Sequence, residues 1–160
     1  MTVEIIMKPG AIVGENKKFD KNQWVTVKSI SHGVAQDVTP ESMKQTRDRL
    51  TSPRFSFMTV RKRVDVSTPD LLMHCMAGLK LPTVEIMVFQ SSDSGKPLMH
   101  YTLQNCFIAS AHAVGEEEAS EEPMEDISFA YSTIKLEVNS VVTGGGQMTK
   151  GWNLAEGKEL

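Results

Sequence analysis

The chain has 160 residues, with 17 Lys plus Arg against 20 Asp plus Glu and a formal net charge of −3. At 40% hydrophobic and 23% charged it has the composition of a folded globular protein, which excludes a disordered or fibrous chain. The acidic balance argues against nucleic acid as a partner, and no apolar run approaches the ~18 residues of a membrane span, so no membrane insertion is expected. Residues 1–10 hold Glu4 inside their only apolar patch, with no basic stretch before it. That is no signal peptide, and folding in the cytoplasm is expected. Two cysteines, Cys75 and Cys106, are too few for a disulfide framework and read as small buried apolar residues. The length favours a single domain over 1–160.

Strand character dominates. Residues 3–7 form a short β-rich run closed by Pro9-Gly10, and 14–22 read as a polar connection. The next strand is 24–33, with Val25 and Val27 on one face and Trp24, Thr26 and Ile30 on the other. Residues 37–53 then lose all apolar periodicity and carry Pro40, Lys44, Arg47, Arg49 and Pro53. A connection of that length inside a compact domain marks a binding loop or a disordered segment. The pattern resumes at 54–64, with Phe55 and Phe57 on one face and Met58 and Val60 on the other, as for a strand packed between layers.

Ser67-Thr68-Pro69-Asp70 and Gly78 punctuate a short helix over 67–79: a hydroxyl cap, Pro in the first turn, an acid at the positive end and Gly past the last turn. Leu71, Leu72, Cys75 and Met76 form its buried stripe. Strands follow at 83–90, closed by a hairpin-type turn over 91–95, and at 98–114, where Met99, Tyr101, Leu103 and Phe107 alternate with His100, Thr102, Gln104 and Cys106. In the strand at 127–142 the apolar residues change parity, from Ile127, Phe129 and Tyr131 to Ile134, Leu136 and Val138. Such a change implies a bulge or a transfer between sheets near Ser132-Thr133. Gly144, Gly145 and Gly146 form a hinge before a C-terminal strand and tail.

Seven basic residues fall between Lys44 and Arg63 (Lys44, Arg47, Arg49, Arg54, Arg61, Lys62, Arg63). Seven acids fall between Glu116 and Asp126 (Glu116, Glu117, Glu118, Glu121, Glu122, Glu125, Asp126). Each reads as a solvated face. The functional alternative is that one loop meets the other on a neighbouring copy, a heterologous contact of the kind that builds rings or stacks.

Catalytic chemistry is hard to place. His32, His74, His100 and His112 lie in different elements without metal-ligand spacing, and no C-x₂-C is present. His74 and Cys75 are neighbours on a helix and point about 100° apart, so they form no nucleophile–base pair. The acidic run lacks the alternating ligands of a calcium loop, and the glycine triplet lacks the context of a phosphate cradle. No catalytic, metal or cofactor-binding residue is expected, and no cofactor.

At Lys62-Arg63-Val64-Asp65-Val66-Ser67-Thr68-Pro69-Asp70-Leu71-Leu72-Met73-His74-Cys75 the chain resembles the haemolysin-coregulated protein (Hcp) family, which forms the inner tube of the bacterial type VI secretion system. The shared pattern is a strand ending in Lys-x-x-Asp, then Ser-Thr-Pro-x-Leu, then a helix with Cys near its middle. Gly10 and Gly14-Glu15, Ser31-His32-Gly33 and Gly151-Trp152-Asn153 agree in order and spacing, so the resemblance runs the length of the chain. Two departures stand out: His32 replaces an aromatic residue, usually Trp, and the Glu-rich loop at 115–123 is longer and more acidic.

The resemblance implies a mainly β fold, a two-sheet β-barrel with one short α-helix packed beside it, assembling as a hexameric ring. Rings would stack into a tube that is expelled and shelters small effectors, with the spike protein and the contractile sheath as further partners. Such a subunit is not an enzyme, and it is secreted by the apparatus after synthesis in the cytoplasm. On that footing 37–53 is an extension towards a neighbouring ring. Lys44, Arg47 and Arg49 are then expected to meet Glu116, Glu117 and Glu118 in stacking or subunit contacts, while Ser29 and Ser31 face cargo. A ligand-binding barrel or enzyme, or a phage-type tail-tube protein, is the alternative.

Overall fold

A computed structural model describes residues 3–16, 24–44, 49–90, 95–118, 122–140 and 146–160. Arg47, residues 91–94 of the expected turn, Glu121, and Gly144 and Gly145 of the expected hinge lie outside these. In chain order the elements are β1 (Val3–Pro9), β2 (Val25–Val27), β3 (Ser29–Ser31), β4 (Val34–Gln36), α1 (Pro40–Lys44), β5 (Pro53–Phe55), β6 (Met58–Arg63), α2 (Thr68–Ala77), β7 (Leu81–Gln90), β8 (Met99–Val114), β9 (Met124–Ala130), β10 (Thr133–Ser140), β11 (Gly146–Asn153) and β12 (Lys158–Glu159).

Two antiparallel layers result. One runs β12-β11-β10-β8-β7-β1-β2, the other β3-β6-β9-β8. The long β8 belongs to both: residues 99–106 pair with β7 and β10, residues 107–114 with β9. On the opposite side the chain passes from β2 to β3 across Lys28 alone, whose N–H donates to the Arg61 carbonyl at 2.7 Å. The core lies between the layers, built from Met7, Val25, Met58, Val60, Ile86, Leu103, Ile127 and Phe129, all buried, with Leu71 of α2 closing it. The fold is mainly β, and among the described residues β3 has a ladder to β6 only.

Several expectations hold. The parity change near Ser132-Thr133 is a transfer between layers: β9 pairs with β6 and β8, whereas β10 pairs with β8 and β11. Tyr131 and Ile134 are both buried on either side of it. The helix ends at Gly78, left-handed at φ 64°, whose N–H reaches the Cys75 carbonyl.

Others are corrected. Residues 24–33 form two strands, because the step at Lys28 moves the chain between layers and turns Ile30 onto the core beside Val25 and Val27. Residues 54–64 are likewise divided: β5 pairs with β4, β6 with β3 and β9, and Phe57 between them is exposed. The alternation expected through 98–114 breaks at Asn105, whose φ of 52° reverses the parity. Cys106 is therefore buried and Phe107 exposed. Residues 37–53 contain the short helix α1. Met76 is 76% exposed, so the buried side of α2 is narrower than its apolar stripe.

Gly14 shows why the first turn needs its glycine. A Cβ there would run into the Trp24 carbonyl and the Val25 side chain. Gly14→Ala should lower the unfolding free energy by about 1–3 kcal/mol, the range for overpacking. Urea denaturation of the two proteins measures it, and equal midpoints would contradict the close approach.

Candidate functional site

The strand that ends in Lys-x-x-Asp turns a lysine inward. Lys62 shares the core face of β6 with Met58 and Val60 and is fully buried. Its ammonium contacts Glu125 Oε1 of β9, donates to Asp65 Oδ1 and to the Arg63 carbonyl, each at 2.9 Å, and lies 3.5 Å from Thr68 Oγ1. Thr68 Oγ1 in turn donates to Glu125 Oε1 at 2.9 Å and accepts the Asp65 N–H at 3.0 Å. Ser67 does not cap the helix with its hydroxyl, as the sequence suggested; the Ser67 O–H and N–H both donate to Asp65 Oδ1. Glu125 Oε2 finds no hydrogen-bond partner among the described residues.

The same β6–β9 pairing draws the two charged runs together within one molecule. Arg61 lies 3.7 Å from Asp126 and Arg63 3.7 Å from Glu122. Both are exposed pairs of small energetic weight. Arg54 is engaged as well, 2.9 Å from Asp37. The expected stacking residues that remain, Lys44 and Arg49 on one side and Glu116, Glu117 and Glu118 on the other, are all exposed. They lie at opposite ends of the second layer. The β4–β5 pair, with Lys44 and Arg49 between its strands, extends past the Met58 end of β6, while Glu116, Glu117 and Glu118 follow β8 at the Arg63 end.

Ser29 and Ser31 are exposed on β3. Pairing extends them across the sheet: Ser31 is registered with Thr59, Thr59 with Ser128 and Ser128 with Ser110. The Thr59 and Ser128 hydroxyls are 3.0 Å apart. The outer face of the second layer thus carries a row of four hydroxyl residues contributed by four strands. Sequence reasoning found only Ser31 of that row, because register between distant strands has no local signature.

Nucleophilic chemistry is not supported by the cysteine environments. Cys106 is buried and burial pushes its thiol up to about 12. His74 Nδ1 lies 2.8 Å from the Asp70 carbonyl, one turn back on its own helix. His100 sits on the first layer between Glu85 at 3.3 Å and Glu137 at 3.7 Å, and His112 is exposed on β8.

The family model for "Type VI secretion system effector, Hcp" matches residues 5–138. The chain belongs to the Hcp family. Solved structures agree on the fold of this Hcp protein. Hcp1 from Salmonella typhimurium is 20% identical, with a TM-score of 0.81 over 100% of both chains. A structure described as a type six secretion system protein is 21% identical, with a TM-score of 0.87 over 99% of this chain and 100% of its own. A type VI secretion system effector from Yersinia pestis is 16% identical, with a TM-score of 0.74 over 93% and 98%. No match was found among curated proteins. The Hcp family is a family of structural tube proteins, and this chain is a type VI secretion tube subunit. No helix among the described residues is long and apolar enough to cross a membrane.

Of the two Hcp departures, His32 has a clear structural setting. Its ring lies 5.9 Å from Tyr101 and 5.8 Å from Tyr131, centroid to centroid, so the imidazole is one member of an aromatic cluster.

Two predictions follow from these environments. Lys62→Met strands Glu125 and Asp65 without their cation and should cost about 3–5 kcal/mol, whereas Lys62→Met with Glu125→Leu should recover much of the loss. Chemical denaturation of the three proteins decides it, and a double variant no better than the single would refute the pairing. In the native state at pH 8 a thiol reagent should label at most Cys75, with Cys106 reacting only in denaturant. Two labels per native chain would contradict the burial.

Proposed function

We propose that this tube subunit closes into a homo-hexameric ring, that rings stack head to tail, and that the hydroxyl-bearing face of the second layer lines the bore. The row Ser31, Thr59, Ser128 and Ser110 carries the reading. Small uncharged hydroxyls offer hydrogen bonds to any passing polypeptide without a strong electrostatic trap, which suits transient carriage of small effectors. A domain of this size fills its own interior with side chains, as the buried core here does, so a conduit has to be built between subunits.

Stacking is supported by the separation of Lys44 and Arg49 from Glu116, Glu117 and Glu118 at opposite ends of the second layer. Two different complementary surfaces on one chain make heterologous contacts, which propagate rather than close in pairs. Exposed charges give such contacts modest strength and salt sensitivity, fitting a tube that assembles, is propelled and then comes apart. The 37–53 segment is the inter-ring extension in this reading. The spike protein and the contractile sheath are further partners, and the chain is made in the cytoplasm before export through the apparatus.

Native mass spectrometry should show a dominant species of six copies of the 17.7 kDa chain. Lys44→Glu with Arg49→Glu should keep that species while reducing stacked material by about tenfold, seen by electron microscopy at moderate salt. A wild-type monomer would refute the ring, and unchanged tubes in the double variant would refute the stacking contact.

A further inference from the structure

β4 and β5 pair with each other and with no other strand among those described. Two residues before β4 stands His32 and immediately after β5 stands Ser56, the two feet of the excursion. Both are tied to one side chain. His32 Nε2 lies 2.7 Å from Tyr131 Oη, and the Tyr131 hydroxyl donates to the Ser56 carbonyl at 2.9 Å. The Ser56 N–H donates to the Gly33 carbonyl at 2.9 Å, closing the ring of contacts. Phe55 packs edge-on against Tyr131 at 6.5 Å. Tyr131 itself occupies the corner where the chain leaves β9 for β10, with its ring buried in the core.

The proton positions follow from this geometry. With its own proton committed to Ser56, Tyr131 Oη is left to accept, so His32 donates through Nε2. Burial, with Tyr101 nearby, pushes the Tyr131 hydroxyl up to about 12, so it remains a donor throughout the physiological range.

Two open cavities of about 520 Å³ and 450 Å³ flank His32, and both are lined by His32 and Tyr101.

We propose that Tyr131 is the positioning residue of the inter-ring extension, latching both of its feet through His32 and Ser56. The consequence of the latch for stacking rests on the ring-and-tube reading above, but the latch itself does not.

Hydrogen exchange on the full chain tests it directly, with the amides of residues 34–55 as reporter and those of β7 as control. Tyr131→Phe keeps the ring and removes the hydroxyl. It should speed exchange across 34–55 by about tenfold at pH 7.5 while leaving β7 protected. Unchanged protection of 34–55 in Tyr131→Phe, or a rise shared equally by β7, would overturn the latch. Wild-type protein with the expected exchange pattern but no rings would sink the tube reading and leave the latch standing.

Discussion

A fully buried ammonium group organises the second layer. Lys62 points into the core face of β6, and removing its charge from water costs several kcal/mol unless acceptors surround it. Those acceptors come from three places: Glu125 across the sheet on β9, Asp65 in the turn after β6, and the Arg63 carbonyl beside it. Thr68 at the start of α2 then bridges Glu125 to the Asp65 backbone. Only a packing that brings β6, β9 and the start of α2 together satisfies the lysine. A slip of β6 by one residue would turn Lys62 out and put Arg61 or Arg63 in its place. The network's value is therefore as much in excluding other registers as in net stability.

Once β6 and β9 are locked side by side, the charge pattern of the surface follows. Three of the basic residues and three of the acids are spent within the molecule, as Lys62–Glu125, Arg61–Asp126 and Arg63–Glu122. Of the rest, Lys44 and Arg49 lie past the first residue of β6 and Glu116, Glu117 and Glu118 past its last. A domain with unlike ends has a direction, and copies of it meet end to end more readily than face to face. The polarity proposed for the tube is thus set by strand register inside each subunit.

The same register makes the outer face of the second layer smooth. Side chains of i, i+2 spacing share a face, and antiparallel pairing aligns Ser31, Thr59, Ser128 and Ser110 across four strands. The aromatic cluster of His32, Tyr101, Tyr131 and Phe55 lies at one margin of that layer, where β3 has no second ladder among the described residues. There the chain departs on the excursion that begins with β4. The hydroxyl face and this excursion share one strand boundary, so Tyr131 also sits beside that face.

Whatever depends on a few consecutive residues was legible in the sequence: the strand character of most of the chain, the limits of the helix between Thr68 and Gly78, and the parity change at Ser132-Thr133. The Lys62–Cys75 pattern and the Gly-Trp-Asn ending pointed to the Hcp family, whose model matches residues 5–138. Tertiary structure decided the rest. It split residues 24–33 at Lys28, reversed β8 at Asn105, and paired the two charged runs within one chain. It also assembled the hydroxyl row and joined His32 to Tyr131 across 99 positions of sequence. Each of these is a contact between strands far apart along the chain. Backbone preference and hydrophobic period act over a few neighbours, whereas register is chosen only when two distant strands bury their faces together.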